Sequence, residues 1–191
     1  MDSLIGYNPN ALIDEGGGLL IAQEISKTDY SVVSPAAGTT TVNVGYIADS
    51  ETAETTSSTK YKDETKQTIK KSDEYEYGIK FTAQQTDKAT IDFFGNTVKG
   101  KAHLAIKYLG YNAGKYNWLF MLGEFVPQFN ISAPGGIASN KQELIGLQNK
   151  AAVTYSASTL ACISTLLTLS NFPTSSVTLS AGKCWSYVEV S

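Results

Sequence analysis

Arginine is absent from the 191-residue chain, so all 15 basic residues are lysine. That removes the bidentate readers of guanine and the planar clamps for phosphate and carboxylate. Histidine occurs once, at His103, and cysteine twice, at Cys162 and Cys184, without a C-x-x-C. Nitrogen and sulfur ligands are therefore too few for an ordinary zinc site. Two free thiols acting as small hydrophobes, or one disulfide between them, remain as readings. Charged residues make up 17% of the chain, below the roughly 25% usual for globular domains. A net charge of −3 argues against a protein that grips nucleic acid by its phosphates. The longest apolar stretch, Leu160 to Leu169, is interrupted by Ser164, Thr165 and Thr168 and is half the roughly twenty residues a spanning helix needs. Met1-Asp2-Ser3-Leu4 carries no basic or apolar leader, so a soluble protein made in the cytoplasm, with no membrane partner, is expected.

What is present is apolar and aromatic: 42% hydrophobic residues and 10% aromatics, enough for a real core in one domain with a tail or arm. Charge is segregated. Residues 1–59 hold eight acids against Lys27 alone, residues 60–115 hold eleven lysines against seven acids, and 116–191 balance three against three. Residues 151–182 carry no charge at all. An acidic third beside a basic middle suits self-complementary subunits, because opposite fields steer association; a solvated surface with chance segregation is the plainer alternative.

The first 40 residues are punctuated by Asn8-Pro9-Asn10, Gly16-Gly17-Gly18 and Ser34-Pro35, with Leu19-Leu20-Ile21-Ala22 apolar enough to dock on a core or a neighbour. Thr41 to Ala48 alternates as a strand; residues 49–60 are polar and read as a loop or the tip of a long hairpin. Lys62 to Lys71 is a polar strand candidate, and Lys71-Ser72-Asp73 a turn. Tyr75, Tyr77, Ile79 and Phe81 then alternate against Glu74, Glu76, Gly78 and Lys80, the period of a half-exposed antiparallel strand. Thr86-Asp87 caps a helix expected at about 87–95, the only one in this reading, with Ile91, Phe94 and Val98 on one face and Gly95-Asn96 as its stop. Leu104, Ile106 and Tyr108 form a strand, Gly110 to Gly114 a hairpin loop, and Tyr116, Trp118, Phe120 and Leu122 the return strand. Phe125, Phe129 and Ile131 suggest another strand, with Pro127 marking an edge or bulge. Glu143 to Tyr155 closes the sheet, and Trp185, Tyr187, Val188 and Val190 end in a final strand or docked arm. The fold class is mainly β: an antiparallel β-sandwich or barrel with one short flanking helix, extended loops and terminal arms.

Catalytic signals are sparse. His103 lies on a strand, and only Cys162, His103 and an aspartate nominally supply a triad, without a nucleophile elbow. Glu74 and Glu76 alternate with Lys80 like a solvated strand face. Gly16-Gly17-Gly18 lacks the Lys-Ser/Thr of a phosphate loop. The tyrosines suit sheet and interface packing as well as stacking on sugars or bases. No enzyme and no cofactor are expected.

The order of elements carries more. A polar hairpin, then Gly78-Ile79-Lys80-Phe81-Thr82 running into Gln85-Thr86-Asp87-Lys88-Ala89-Thr90-Ile91-Asp92-Phe93-Phe94, then the Lys107-Tyr108 hairpin into Trp118-Leu119-Phe120-Met121, Pro127 and Ala133-Pro134-Gly135-Gly136, resembles the bacteriophage tail tube, or major tail, proteins. The resemblance covers roughly residues 40–155. It implies an N-terminal arm over 1–40, a tail-tube-like β-sandwich domain over 41–155 and a C-terminal strand or arm over 156–191. It also implies a virion structural protein whose rings, hexameric in that family, stack into a channel for DNA ejection. The implied partners are further copies of the chain, other tail proteins (tape measure, terminator, baseplate or hub), and double-stranded DNA passing through the lumen unbound. An arginine-free, mildly acidic wall suits such a conduit, because DNA affinity grows with each phosphate neutralised. Asp49, Glu51 and Glu54 become candidates for the lumen or a ring-to-ring contact, on a loop reaching at most about 20 Å. Leu19, Leu20, Ile21, Trp185 and Tyr187 become candidate contacts between subunits. Another virion β-protein (a baseplate, decoration or pilin-like subunit) and, less well supported, a carbohydrate-binding module are the alternatives.

Overall fold

The computed structural model describes residues 18–33, 41–62, 68–83, 92–126, 140–167 and 171–191. Its strands are β1 (Gly18–Ile25), β2 (Thr41–Lys62), β3 (Thr68–Ala83), β4 (Ala102–Asn112), β5 (Lys115–Val126), β6 (Asn140–Gly146), β7 (Val153–Tyr155), β8 (Val177–Leu179) and β9 (Trp185–Val190). One α-helix, α1, spans Ala157–Leu167, and a π-helical turn spans Phe93–Thr97. Hydrogen bonding runs β4-β1-β2-β3-β6-β5-β9, and β4 also pairs with β5. Strands β1, β2, β3, β6, β5 and β4 therefore close into an antiparallel barrel, with β9 added to β5; β7 and β8 form a separate ribbon. The mainly antiparallel β class expected from alternation is what the chain adopts.

Alternation along β4 and β5 separates two apolar faces. His103, Ala105 and Lys107 stand opposite Gly123, Met121 and Leu119, while Leu104, Ile106 and Tyr108 stand opposite Leu122, Phe120 and Trp118. The first face is concave. On it Phe125 of β5 meets Phe81 of β3 and His103 of β4, ring to ring. The second face is outside the barrel and is covered by the C-terminal layer: Phe172 packs edge-on to Trp118 at 5.2 Å, and the Trp118 indole donates to the Asn171 carbonyl at 2.9 Å. With both faces covered, Ala102 to Tyr108 are buried without interruption, as strands sandwiched between two layers are.

Several expectations are revised. Leu19 to Ala22 is not part of a peripheral arm but lies in β1, between β2 and β4. Residues 49–60, read as a loop or the tip of a long hairpin, belong to β2 and pair in a long hairpin with β3 across Lys71-Ser72-Asp73, the expected turn. Their threonine-rich composition suits this, since β-branched residues favour strands. The expected helix at about 87–95 falls mostly outside the described residues; its described end is the π turn. A second helix, α1, went unanticipated in the charge-free stretch. Ser156 caps it by accepting the Thr159 N–H at 3.2 Å, and Leu160 and Ile163 join the core. Phe125 belongs to β5 rather than to a new strand, and Phe129 and Ile131 lie outside the described residues.

Close packing of β5 on β6 depends on Gly123, where a Cβ would sit 2.6 Å from Leu144 Cγ and 2.8 Å from the Ile145 carbonyl. The carbonyl belongs to the paired strand and cannot withdraw. Gly123→Ala should therefore destabilise the fold by about 1–3 kcal/mol, read as a lowered midpoint in guanidinium unfolding.

Candidate assembly surface at the open end of the barrel

The two ends of the barrel differ. At one end the π turn places Phe93 and Phe94 against His103, Phe81 and Phe125, an aromatic cluster with ring centroids 5.1–6.0 Å apart for every pair that includes Phe93 or Phe94. At the other end the concave face becomes polar. Leu20, Lys107, Leu119 and Tyr187 form one row across β1, β4, β5 and β9. Tyr187 donates its hydroxyl hydrogen to Asn117 Oδ1, and Lys115 pairs with Glu189 just beyond. Lys107 is only 6% exposed and donates to Thr52 Oγ1 at 3.2 Å, and among the described residues no carboxylate pairs with it. Burial pulls the pKa of its amine below the ordinary lysine value.

A change of partner along β5 creates the distinctive geometry. β4 occupies one edge of β5 from Lys115 to Gly123. The other edge is held by β6 from Gly123 to Val126 and by β9 from Tyr116 to Met121. Leu122 marks the junction: its N–H donates to the Cys184 carbonyl at 2.7 Å and its carbonyl accepts from Leu147 at 2.9 Å. Gly146 is glycine here because a Cβ would meet Cys184 Sγ at 2.6 Å and the Tyr77 carbonyl at 3.0 Å. β9 thus continues the lane of β6, but β3 does not follow it. The two touch through the Tyr77 and Trp185 rings, 6.0 Å apart, and among the described residues the backbone edges of β3 before Gly78 and of β9 have no further strand. Among the described residues, β2 beyond Ala53 and β3 before Gly78 pair only with each other. This ribbon projects past the last β6 pair by up to about 30 Å, at ~3.3 Å per residue, half again the reach expected of a loop.

The candidate residues fall as follows. Asp49 lies in the register shift between Ala48 and Glu51, Glu51 is exposed opposite Lys80, and Glu54 stands opposite Tyr77 at the base of the ribbon. The structure gathers all three where the ribbon leaves the barrel. Leu19, Leu20 and Ile21 are at most 1% exposed within the single chain, so they are core residues and their assignment as contacts between subunits is corrected. Trp185 and Tyr187 lie on β9; Tyr187 is 48% exposed, and the buried indole N–H of Trp185 has no hydrogen-bond partner. Lys107 was not singled out, although one lysine between Ile106 and Tyr108 in an otherwise apolar strand was a visible signal. Leu109 and Tyr111, exposed near the β4–β5 turn, extend the same end.

Other chemistry-bearing groups lie elsewhere. Cys162 is exposed on α1 and Cys184 is buried, both as free thiols, and burial pushes Cys184 up to about 11. Among the described residues no three His, Cys, Asp or Glu side chains are grouped to hold a metal ion, and no helix is long and apolar enough to cross a membrane. No protein-family model matches the chain, and no curated protein is similar to it.

Because Lys107 is buried and no carboxylate pairs with it among the described residues, replacing it with an apolar side chain of similar length removes a desolvation cost, while Thr52 keeps access to water. Lys107→Met should raise the thermal midpoint at pH 7. The wild-type chain should also gain stability from pH 7 to 9, since its folded amine releases its proton before the unfolded one does. In Lys107→Met that gain should shrink, as thermal unfolding at the two pH values will show.

Proposed function

We propose that the chain is a structural subunit of a bacteriophage tail tube, assembling into stacked rings that surround the path of the genome. The observation that carries this reading is the β2–β3 ribbon. An isolated two-stranded ribbon is at best marginally stable in water, and this one runs far past the last strand that supports it. A ribbon of that reach supplies a contact to another molecule.

The neighbouring edges support the same reading. A bare strand edge is a template for pairing with a further chain, and β9 and the outer part of β3 present such edges side by side. Two different edges on one chain favour a head-to-tail contact, which closes into a ring when its rotation permits, while a second heterologous contact along the axis stacks rings without limit. Tyr187 and Trp185 then belong to the lateral contact, and Asp49, Glu51 and Glu54, at the ribbon's base, to the lumen wall or the axial contact. Tape-measure, terminator and baseplate or hub proteins would meet the ends of such a tube, and double-stranded DNA would pass through it without specific binding. The lack of arginine suits a wall along which a duplex slides.

Electron microscopy of the purified full-length chain at high concentration tests the proposal. Rings or tubes are expected, and a monodisperse monomer by sedimentation overturns it. A second variant joins Glu54 to Tyr77 through Asn-Gly, the two-residue turn that suits a hairpin. It should keep the thermal midpoint within a few degrees and lose the stacking of rings; full-length tubes from this variant would show that the ribbon is not the axial contact.

A further inference from the structure

The aromatic end of the barrel holds the chain's one histidine in an unusual setting. His103 is completely buried on the concave face of β4, edge-on to Phe93 at 5.7 Å and to Phe125 at 5.2 Å. Among the described residues neither ring nitrogen makes a hydrogen bond of good geometry. The charged groups that act on it come from three sides: Glu24 on β1, Lys101 before β4 and Glu124 on β5. Both carboxylates are already engaged, Glu24 by Lys101 at 2.8 Å and Glu124 by Lys27 at 2.6 Å. The π turn, which supplies Phe93 and Phe94, contains no charged residue. A neutral imidazole packs here like another aromatic ring. A protonated one has two donors and only the Lys101 backbone beside it as an acceptor, and a buried charge so poorly partnered is far costlier than an exposed one.

We propose that His103 and the π turn form an acid-operated plug, in which protonation of the imidazole displaces Phe93 and Phe94 and opens this end of the barrel. The turn is the element that gives way, because it is a five-residue segment outside the sheet, whereas the other walls are strands within it. Val98 N–H to Phe93 O, 3.1 Å, is the backbone bond that closes the turn. Burial holds the imidazole well below its ordinary range, at about 4, against smaller opposing contributions from Glu24 and the Lys101 backbone. The open form binds the proton more tightly than the closed one, so acid favours opening. With an ordinary imidazole near 6.5 in the open form, the open population should rise by about 100-fold between pH 7 and pH 4.

A single histidine makes the test direct. The imidazole Cε1–Hε1 resonance of the full chain should titrate with a midpoint near 4. Over the same interval pepsin should begin to cleave between Phe93 and Phe94. His103→Phe and His103→Leu, which keep the packing and remove the proton, should resist pepsin at pH 4 under conditions that cut the wild type. Both carboxylates are present in all three proteins, so the comparison isolates the histidine. An imidazole that titrates near 6.5 in the folded chain overturns the proposal, as does cleavage of both variants at the wild-type rate. The outcome is independent of whether the chain forms tubes.

Discussion

Closure of the sheet is the constraint on which everything else rests. β1 lies between β2 and β4, and β4 pairs with β5, so the ring of hydrogen bonds returns to its start. A closed ring leaves no edge, and a chain with only this ring would be inert toward its neighbours. The edges that remain exist because β6 is too short to follow β5 along its length. β9 takes over the vacant part of that edge and β3, left without a partner, turns outward with β2. One short strand thus converts a self-contained barrel into a body with a projecting ribbon and two bare edges.

The two ends of the barrel follow from how alternating side chains meet this closure. At the end nearest the π turn, phenylalanines from two strands and the turn fill the concave face, and an imidazole is admitted only as a neutral ring. At the opposite end the wall opens where β9 replaces β6, and polar groups enter: Lys107, Asn117, Tyr187 and the Lys115–Glu189 pair. Lys107 is the costly member, a buried amine with one hydroxyl acceptor. Its position beside Thr52 ties the root of the ribbon to the barrel wall. The outer face is apolar for a different reason, since it is the floor on which the C-terminal layer sits.

The parts of this arrangement that were legible in the sequence are those in which one face of a strand is buried and the other is not. Tyr75 to Phe81 and Leu104 to Leu122 alternate cleanly, and both were recognised. β1 was not, because Leu19-Leu20-Ile21-Ala22 is apolar on both faces and is followed by Gln23, which is buried as well. Periodicity is silent for a strand covered on both sides. The ribbon was legible only as a loop or the tip of a long hairpin, because its run of threonines and serines has no alternation of apolar and polar residues. α1 was hidden by its small residues, since Ala157, Ala161 and Cys162 blur the apolar stripe that Leu160 and Ile163 define. Of the candidate contact residues, those on β9 and at the base of the ribbon lie at an exposed end and those on β1 do not. Exposure depends on what the rest of the chain places over a residue, which local pattern does not carry.

The position of β1 also dictates an order of events during synthesis. Its partner on one side, β2, follows closely, but the other, β4, lies more than 75 residues further along the chain, with Ile25 facing Ala102. At about 5–20 residues per second, β1 waits roughly 4–15 s on the ribosome with an apolar edge uncovered. Long-range pairing of this kind is slow because loop closure precedes any reward. β9 joins β5 later still. The edge that β9 leaves without a further strand among the described residues therefore comes into existence only after the barrel beneath it has closed, so in the proposed assembly pairing on that edge follows folding of the subunit.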